Sequence, residues 1–227
     1  MAKIAVVDYG MGNLRSVAKA LEHVAPDCTV LVTDNSRDIH DADRIVFPGQ
    51  GAMPDCIREL EARGLREPIV EAAQHKPFLG LCIGLQMLFE HSEEGNVKGL
   101  SLLPGRVRRF PPERMHDQSG NKLKVPHMGW NQVVQKRAHA MWHGIEDGSR
   151  FYFVHSYYVE ASDPDLVAGT TCYPFAFTSA VARNNIFAVQ FHPEKSQSAG
   201  LQLLSNFVKW DGSEGRLKDK AIGTADV

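Results

Sequence analysis

Phe78-Leu79-Gly80-Leu81-Cys82-Ile83-Gly84-Leu85-Gln86-Met87-Leu88-Phe89 is an apolar run in which two glycines bracket a cysteine. As backbone it reads strand, G-x-C-x-G turn, then an apolar helical segment. The flanking glycines let strand and helix approach closely. A side chain at the apex sits strained and exposed at a helix N-terminus, where the dipole favours a thiolate. The same residues also suit a buried structural cysteine between packing glycines. A strand feeding directly into a helix is the unit of an α/β fold, so this stretch sets the architecture expected of its neighbours.

On the N-terminal side, Ile4–Val7, Thr29–Val32 and Arg44–Phe47 are short β-rich runs ending in turn residues. Leu14, Val17, Ala18, Leu21 and Val24 follow the first at helical spacing, and 54–75 is helix-forming with breaks near Gly64 and Pro68. Strands alternating with helices predict a mostly parallel central sheet with helices on both faces. Beyond Gly105 the texture changes to strand-like runs at Val107–Phe110, Val133–Val134, Phe151–His155, Val167–Thr171, Ser179–Arg183 and Ile186–Gln190, with little helix between. This half is expected to add antiparallel hairpins. Pro111–Lys124 reads as an exposed hairpin or loop, Asn184-Asn185 as a tight turn, Gly200–Trp210 as a closing helix and 211–227 as a frayed polar tail. The expectation is one domain over 1–210 with that tail appended.

Phe191-His192-Pro193-Glu194 follows the last strand. In extended backbone, residues two apart project to the same side, and Pro193 holds the intervening backbone extended. Glu194 can then accept from one nitrogen of His192 while the other faces Cys82, giving nucleophile, base and orienting acid. A salt-bridged histidine at a strand end is the plainer reading. Phe47-Pro48-Gly49-Gln50-Gly51 ends the third strand, and backbone N–H groups of Gly49, Gln50 and Gly51 would join that of Ile83 in an oxyanion hole. An ordinary strand-to-helix turn is the alternative. Pro126–Trp130, apolar with an aromatic end, suits either a seal or a core strand.

The 227 residues carry 25 Lys plus Arg against 27 Asp plus Glu, a net charge of -2, which provides no global field for nucleic acid or anionic membrane. No run of 18 apolar residues and no leader pattern is present, so a cytoplasmic location is expected. Cys28, Cys56, Cys82 and Cys172 lie far apart without a C-x-x-C pair. His139 and His143 have metal-pair spacing, but Ala140 stands where a zinc-protease helix carries glutamate, and no metal is expected. Gly10-Met11-Gly12 lacks a third glycine and there is no phosphate loop, so neither nucleotide nor other cofactor is expected.

Together, the G-x-C-x-G elbow and the distant H-P-E resemble the triad-type glutamine amidotransferases. Asp8–Ser16, Val125–Asn131 and Tyr152–Tyr158 are similar, more narrowly, to the glutaminase-subunit family of imidazole glycerol phosphate synthases. The resemblance covers nearly the whole chain. It implies a flavodoxin-like α/β fold and a heterodimer with a (β/α)₈-barrel cyclase subunit of the HisF type. Cys82 would attack L-glutamine, and His192 and Glu194 would serve as base and orienting acid. The thioester would yield L-glutamate and ammonia, which the cyclase would use to make imidazole glycerol phosphate and AICAR from PRFAR in histidine biosynthesis. Gln86, Glu94, His155, Ser156 and Tyr157 match glutamine-holding positions, while Trp130, Asn131, Tyr152 and Lys195 match the side facing the barrel. The stretch 111–124 and the tail depart from the family pattern. Readings left open are a glutaminase subunit of another synthase such as anthranilate synthase, a non-enzymatic regulatory subunit, and a cysteine peptidase or esterase.

Overall fold

Ile4 and Val6 face one way and Ala5 and Val7 the other, yet all four are buried. A strand buried on both faces belongs to the centre of a sheet covered on both sides. The computed structural model describes residues 1–117 and 119–214. Its first half runs β1 (Lys3–Val7), α1 (Leu14–Val24), β2 (Thr29–Thr33), α2 (Ser36–Asp41), β3 (Arg44–Phe47), α3 (Met53–Ala62), α4 (Arg66–His75), β4 (Phe78–Leu81) and α5 (Ile83–Met87). The second half is β5 (Phe89–Ser92), β6 (Val97–Lys98), β7 (Leu103–Arg109), β8 (His127–Gln132), β9 (Val134–Gln135), β10 (Arg150–His155) and β11 (Tyr157–Ala161). It ends with β12 (Val167–Cys172), β13 (Ala176–Arg183), β14 (Ile186–Val189) and α6 (Gln197–Lys209).

The strands β2-β1-β3-β4-β14 lie side by side and parallel. The sheet continues through β13, β11 and β7 in antiparallel pairing, so the change of texture near residue 105 is a change of strand direction. β8 and β10 form a separate antiparallel ribbon. One core joins Ile45, Phe47, Phe78 and Ala188 to side chains of α3 and α4. The other joins Val46, Leu79, Leu81, Phe187 and Val189 to Val17, Leu21, Leu203, Leu204 and Phe207 of α1 and α6. Each large apolar side chain so buried contributes ~1.5–3 kcal/mol.

Several local expectations change. The break in 54–75 falls at Gly64 alone, whose φ is +65°. Pro68 lies in the first turn of α4, where its missing N–H costs no intrahelical bond. The helix after the elbow spans only five residues before the chain turns into β5. The six-residue α2 and the two-residue β6 carry too few residues for a periodic signal.

Pro111–Lys124 does form a hairpin, bridged between His116 and Lys122, with Asp117 accepting from the backbone of Ser119 and Asn121. It is not wholly exposed, since Met115 is buried in the core beside Phe110. Most of the expected frayed tail, 215–227, lies outside the described residues. Its first residues are tied down: Trp210 Nε1 donates to Ser213 O, and Asn184 N donates to Glu214 Oε1 at 2.8 Å.

Candidate active site

Cys82 sits at φ +55°, ψ −109°, a conformation that costs a non-glycine residue energy and persists only when its surroundings impose it. Here the Cys82 N–H donates to Val189 O on β14 at 2.8 Å, and Leu85 and Gln86 N–H donate to Cys82 O. The flanking glycines are dictated by space. A Cβ on Gly84 would lie 1.9 Å from the carbonyl oxygen of Phe47, and one on Gly80 would lie 2.9 Å from Ala188 Cβ. Cys82 is only 4% exposed, less than the place on an exposed elbow suggests. It opens instead into a cavity of about 220 Å³ lined also by Gln50, Gly51, Ile83, Gln86 and Glu94. The opposite wall is Pro126, Val154, His155, Ser156, Tyr157 and His192. The volume suits an amino acid better than a drug-sized ligand. A larger cleft of about 730 Å³ between α2 and α4 has charged walls and no cysteine.

His192 follows β14, the parallel neighbour of β4, so the two strand ends bring Cys82 and His192 together from residues far apart in the chain. Its Nδ1 lies 3.0 Å from Glu194 Oε1, and both side chains are nearly inaccessible. The turn is clamped to β10 and α6: His192 N–H donates to Tyr152 O, and the Ser196 hydroxyl donates to His192 O. Burial by itself opposes protonation of the ring. The charges of Cys82 and Glu194 on its two sides outweigh it and push the His192 pKa up to about 10. Between these two neighbours the ring therefore favours its imidazolium form. His192 Nε2 and Gln86 Oε1 are buried without a protein hydrogen-bond partner, and both residues line the cavity.

Gly49 packs against the elbow, where an added Cβ would lie 2.7 Å from Ile83 Cβ. The Tyr9 hydroxyl donates to Pro48 O at 2.8 Å, anchoring the loop at its start. Ile83 N–H, at the first position of α5, has no carbonyl one turn earlier in its own helix. Glu94 lines the cavity, and its carboxylate also accepts from Met53 N–H at the start of α3. Trp130, Tyr152 and Lys195 gather outside the cavity. Trp130 and Tyr152 are register partners with ring centroids 6.1 Å apart, and Lys195 Nζ is 6.0 Å from the Tyr152 ring. Asn131 donates to Cys172 O at 3.0 Å. Val154 and the cavity role of Pro126 escape a reading of the sequence, because nothing local distinguishes an apolar wall residue from a core one.

Three other histidines are buried and neutral. Burial lowers His127 and His139 to about 4 and His155 to about 3. His139 accepts from Met141 N–H through Nδ1 and sits against Phe187 and Trp210, a packing role. Among the described residues no group of three or more His, Cys, Asp or Glu converges on a metal position. An unfolded histidine binds its proton below about 6.5. Between pH 6.5 and 4 the unfolded chain therefore binds up to three more protons at these positions than the native one, so stability falls as pH falls. His192, protonated in both states there, does not offset this. Urea midpoints measured across that window should drop steadily; a flat profile would show that these rings protonate in place.

A cysteine on a strained strand-to-helix turn, paired with a histidine and glutamate from the neighbouring parallel strand, defines a class. The chain belongs to the class-I glutamine amidotransferase family, whose description matches residues 5–210. Within that class it falls among relatives known as imidazole glycerol phosphate synthase subunit HisH. It is 67% identical to that of Thiobacillus denitrificans (93% of this chain, 92% of the relative) and 66% identical to that of Nitrosospira multiformis (92% and 99%). Among solved structures it is similar to PurLQS from Thermotoga maritima, with TM-score 0.66 and 18% identity over 91% of this chain and 97% of that one. It is also similar to a glutamine amidotransferase from the same organism, with TM-score 0.61 and 13% identity over 92% and 96%. These structures share its fold. No helix among the described residues is long and apolar enough to cross a membrane.

Proposed function

We propose that this chain is the glutaminase subunit of a cytoplasmic imidazole glycerol phosphate synthase, with residues 1–210 as its amidotransferase domain and 211–227 as an appended tail. The observation that carries the chemistry is Cys82 and His192 opening on one amino-acid-sized cavity, with Glu194 behind the histidine on its Nδ1. Cys82 Sγ passes its proton to His192 Nε2 and attacks the side-chain carbonyl carbon of L-glutamine. The oxyanion rests on Ile83 N–H and the Gly49-Gln50-Gly51 loop. His192 then protonates the departing nitrogen, leaving a thioester and ammonia. Water, deprotonated by His192, releases L-glutamate and restores the thiol. Gln86, Glu94 and His155-Ser156-Tyr157 hold the substrate's other end.

The partner in this reading is a HisF-type (β/α)₈ barrel that converts PRFAR to imidazole glycerol phosphate and AICAR. Trp130, which is 39% exposed, Asn131, Tyr152 and Lys195 form the facing surface. Free ammonia in water is largely protonated and lost as a nucleophile, so a sealed passage into the barrel favours the second reaction. Glutamate release should be low for the isolated chain, higher with the barrel, and highest when the barrel also holds its ligand. Equal rates in all three states would refute gating, and co-purification with a chorismate-using protein instead of a barrel would reassign the synthase.

A further inference from the structure

Leu81 and Val189 are register partners at the ends of β4 and β14, so the next residues along each strand, Cys82 and Gln190, are neighbours. Gln190 is completely buried, and its Nε2 lies 3.7 Å from Cys82 Sγ. Which end of the amide faces the sulfur is dictated by a chain of partners. The Tyr157 carbonyl can only accept, so the Gln86 amide atom 3.1 Å from it is the N–H₂. The same Gln86 Nε2 lies 3.1 Å from the Gln190 side chain, so the Gln190 atom it meets is the oxygen. The Gln190 N–H₂ is left for the sulfur. The key of this chain is itself held: His155 Nδ1 donates to the same Tyr157 carbonyl at 2.7 Å, and His127 Nδ1 donates to His155 Nε2 at 3.0 Å. Asn131, on the ribbon strand β8, completes the ladder on His127 Nε2 at 3.2 Å.

We propose that Gln190 is a further catalytic residue, whose N–H donates to the Cys82 sulfur and favours the thiolate, with Gln86 holding its amide the right way round. This rests on the glutaminase reading above and deepens it. A donor to sulfur gains most when the sulfur is charged, because charge-assisted hydrogen bonds are about twice as strong as neutral ones. The thiol proton goes to His192 Nε2, so Gln190 and His192 stabilise the two products of one proton transfer. Gln190 contributes no proton of its own.

The test uses the full chain, with alkylation of Cys82 by iodoacetamide followed on its own peptide and glutamine turnover followed in the assembled complex. Gln190→Met removes the N–H, keeps the length and leaves Gln86 bonded to Tyr157. Alkylation near neutral pH should fall about tenfold, the effect of losing one such hydrogen bond, and recover at strongly alkaline pH. kcat should fall by a similar factor with KM for glutamine unchanged. If Gln190→Met does not fold by circular dichroism, Gln190→Asn, whose amide is too short to reach, is read in the same way. A folded variant that alkylates at the wild-type rate overturns the proposal. Wild-type protein that releases no glutamate, while alkylation still responds to Gln190→Met, overturns the glutaminase reading and leaves this one standing.

Discussion

Replacing Cys82 by alanine should leave no glutamate release above background in the assembled complex, a loss of ~10⁴-fold or more, because covalent catalysis disappears with its nucleophile. No other thiol can take over. Cys56 is buried, donates to Gln50 O at 3.6 Å, and is pushed up to about 11, chiefly by that burial. Cys172 is exposed and donates to Pro174 O, and Cys28 packs at the edge of the other core. Neither lines the cavity. Alanine also suits the packing around the elbow, so circular dichroism and thermal unfolding should stay close to wild type. Activity within tenfold of wild type would place the nucleophile elsewhere and remove the basis of the proposed mechanism.

Gly84→Ala should act in the opposite way, through the fold. The added methyl would stand 1.9 Å from the Phe47 carbonyl oxygen, and neither side can yield cheaply, because Phe47 ends the central strand β3 and Gly84 lies inside α5. Moving them apart separates the Gly49–Gly51 loop, the proposed oxyanion site, from the elbow. The expected loss is ~3 kcal/mol or more in urea unfolding, at the upper end of overpacking effects, with turnover absent in whatever fraction stays folded. Gly120→Ala is the comparison: its φ is +82° but nothing lies within 4 Å, so only the backbone strain of ~1 kcal/mol applies and activity should be untouched. Equal urea midpoints for the two variants would show that the close approach at Gly84 does not constrain the fold.

Long or strongly patterned elements are legible in the sequence alone. The parallel strands, α1 and α6 show themselves as apolar runs and helical periodicity. The two-residue β6 does not, because one pair of residues carries no period, and the helix after the elbow is legible in place but not in its five-residue length. The His192–Glu194 contact is also present, but not through the extended backbone expected there: Pro193–Lys195 winds into a 3₁₀ turn that begins at His192 and brings the carboxylate back to the ring. Met115 and the anchored residues 211–214 look exposed in sequence, since a polar neighbourhood hides a single inward side chain.

By itself the sequence determined the elbow, its glycines and the H-P-E pair, because each is a local pattern whose geometry is set within a few bonds. Only the tertiary structure decided that β14 lies beside β4 in the register pairing Leu81 with Val189. That pairing spans more than a hundred residues, and it rests on which strand faces fill the two cores, which no local window contains. The same register sets Gln190 beside Cys82 and His192 across the cavity.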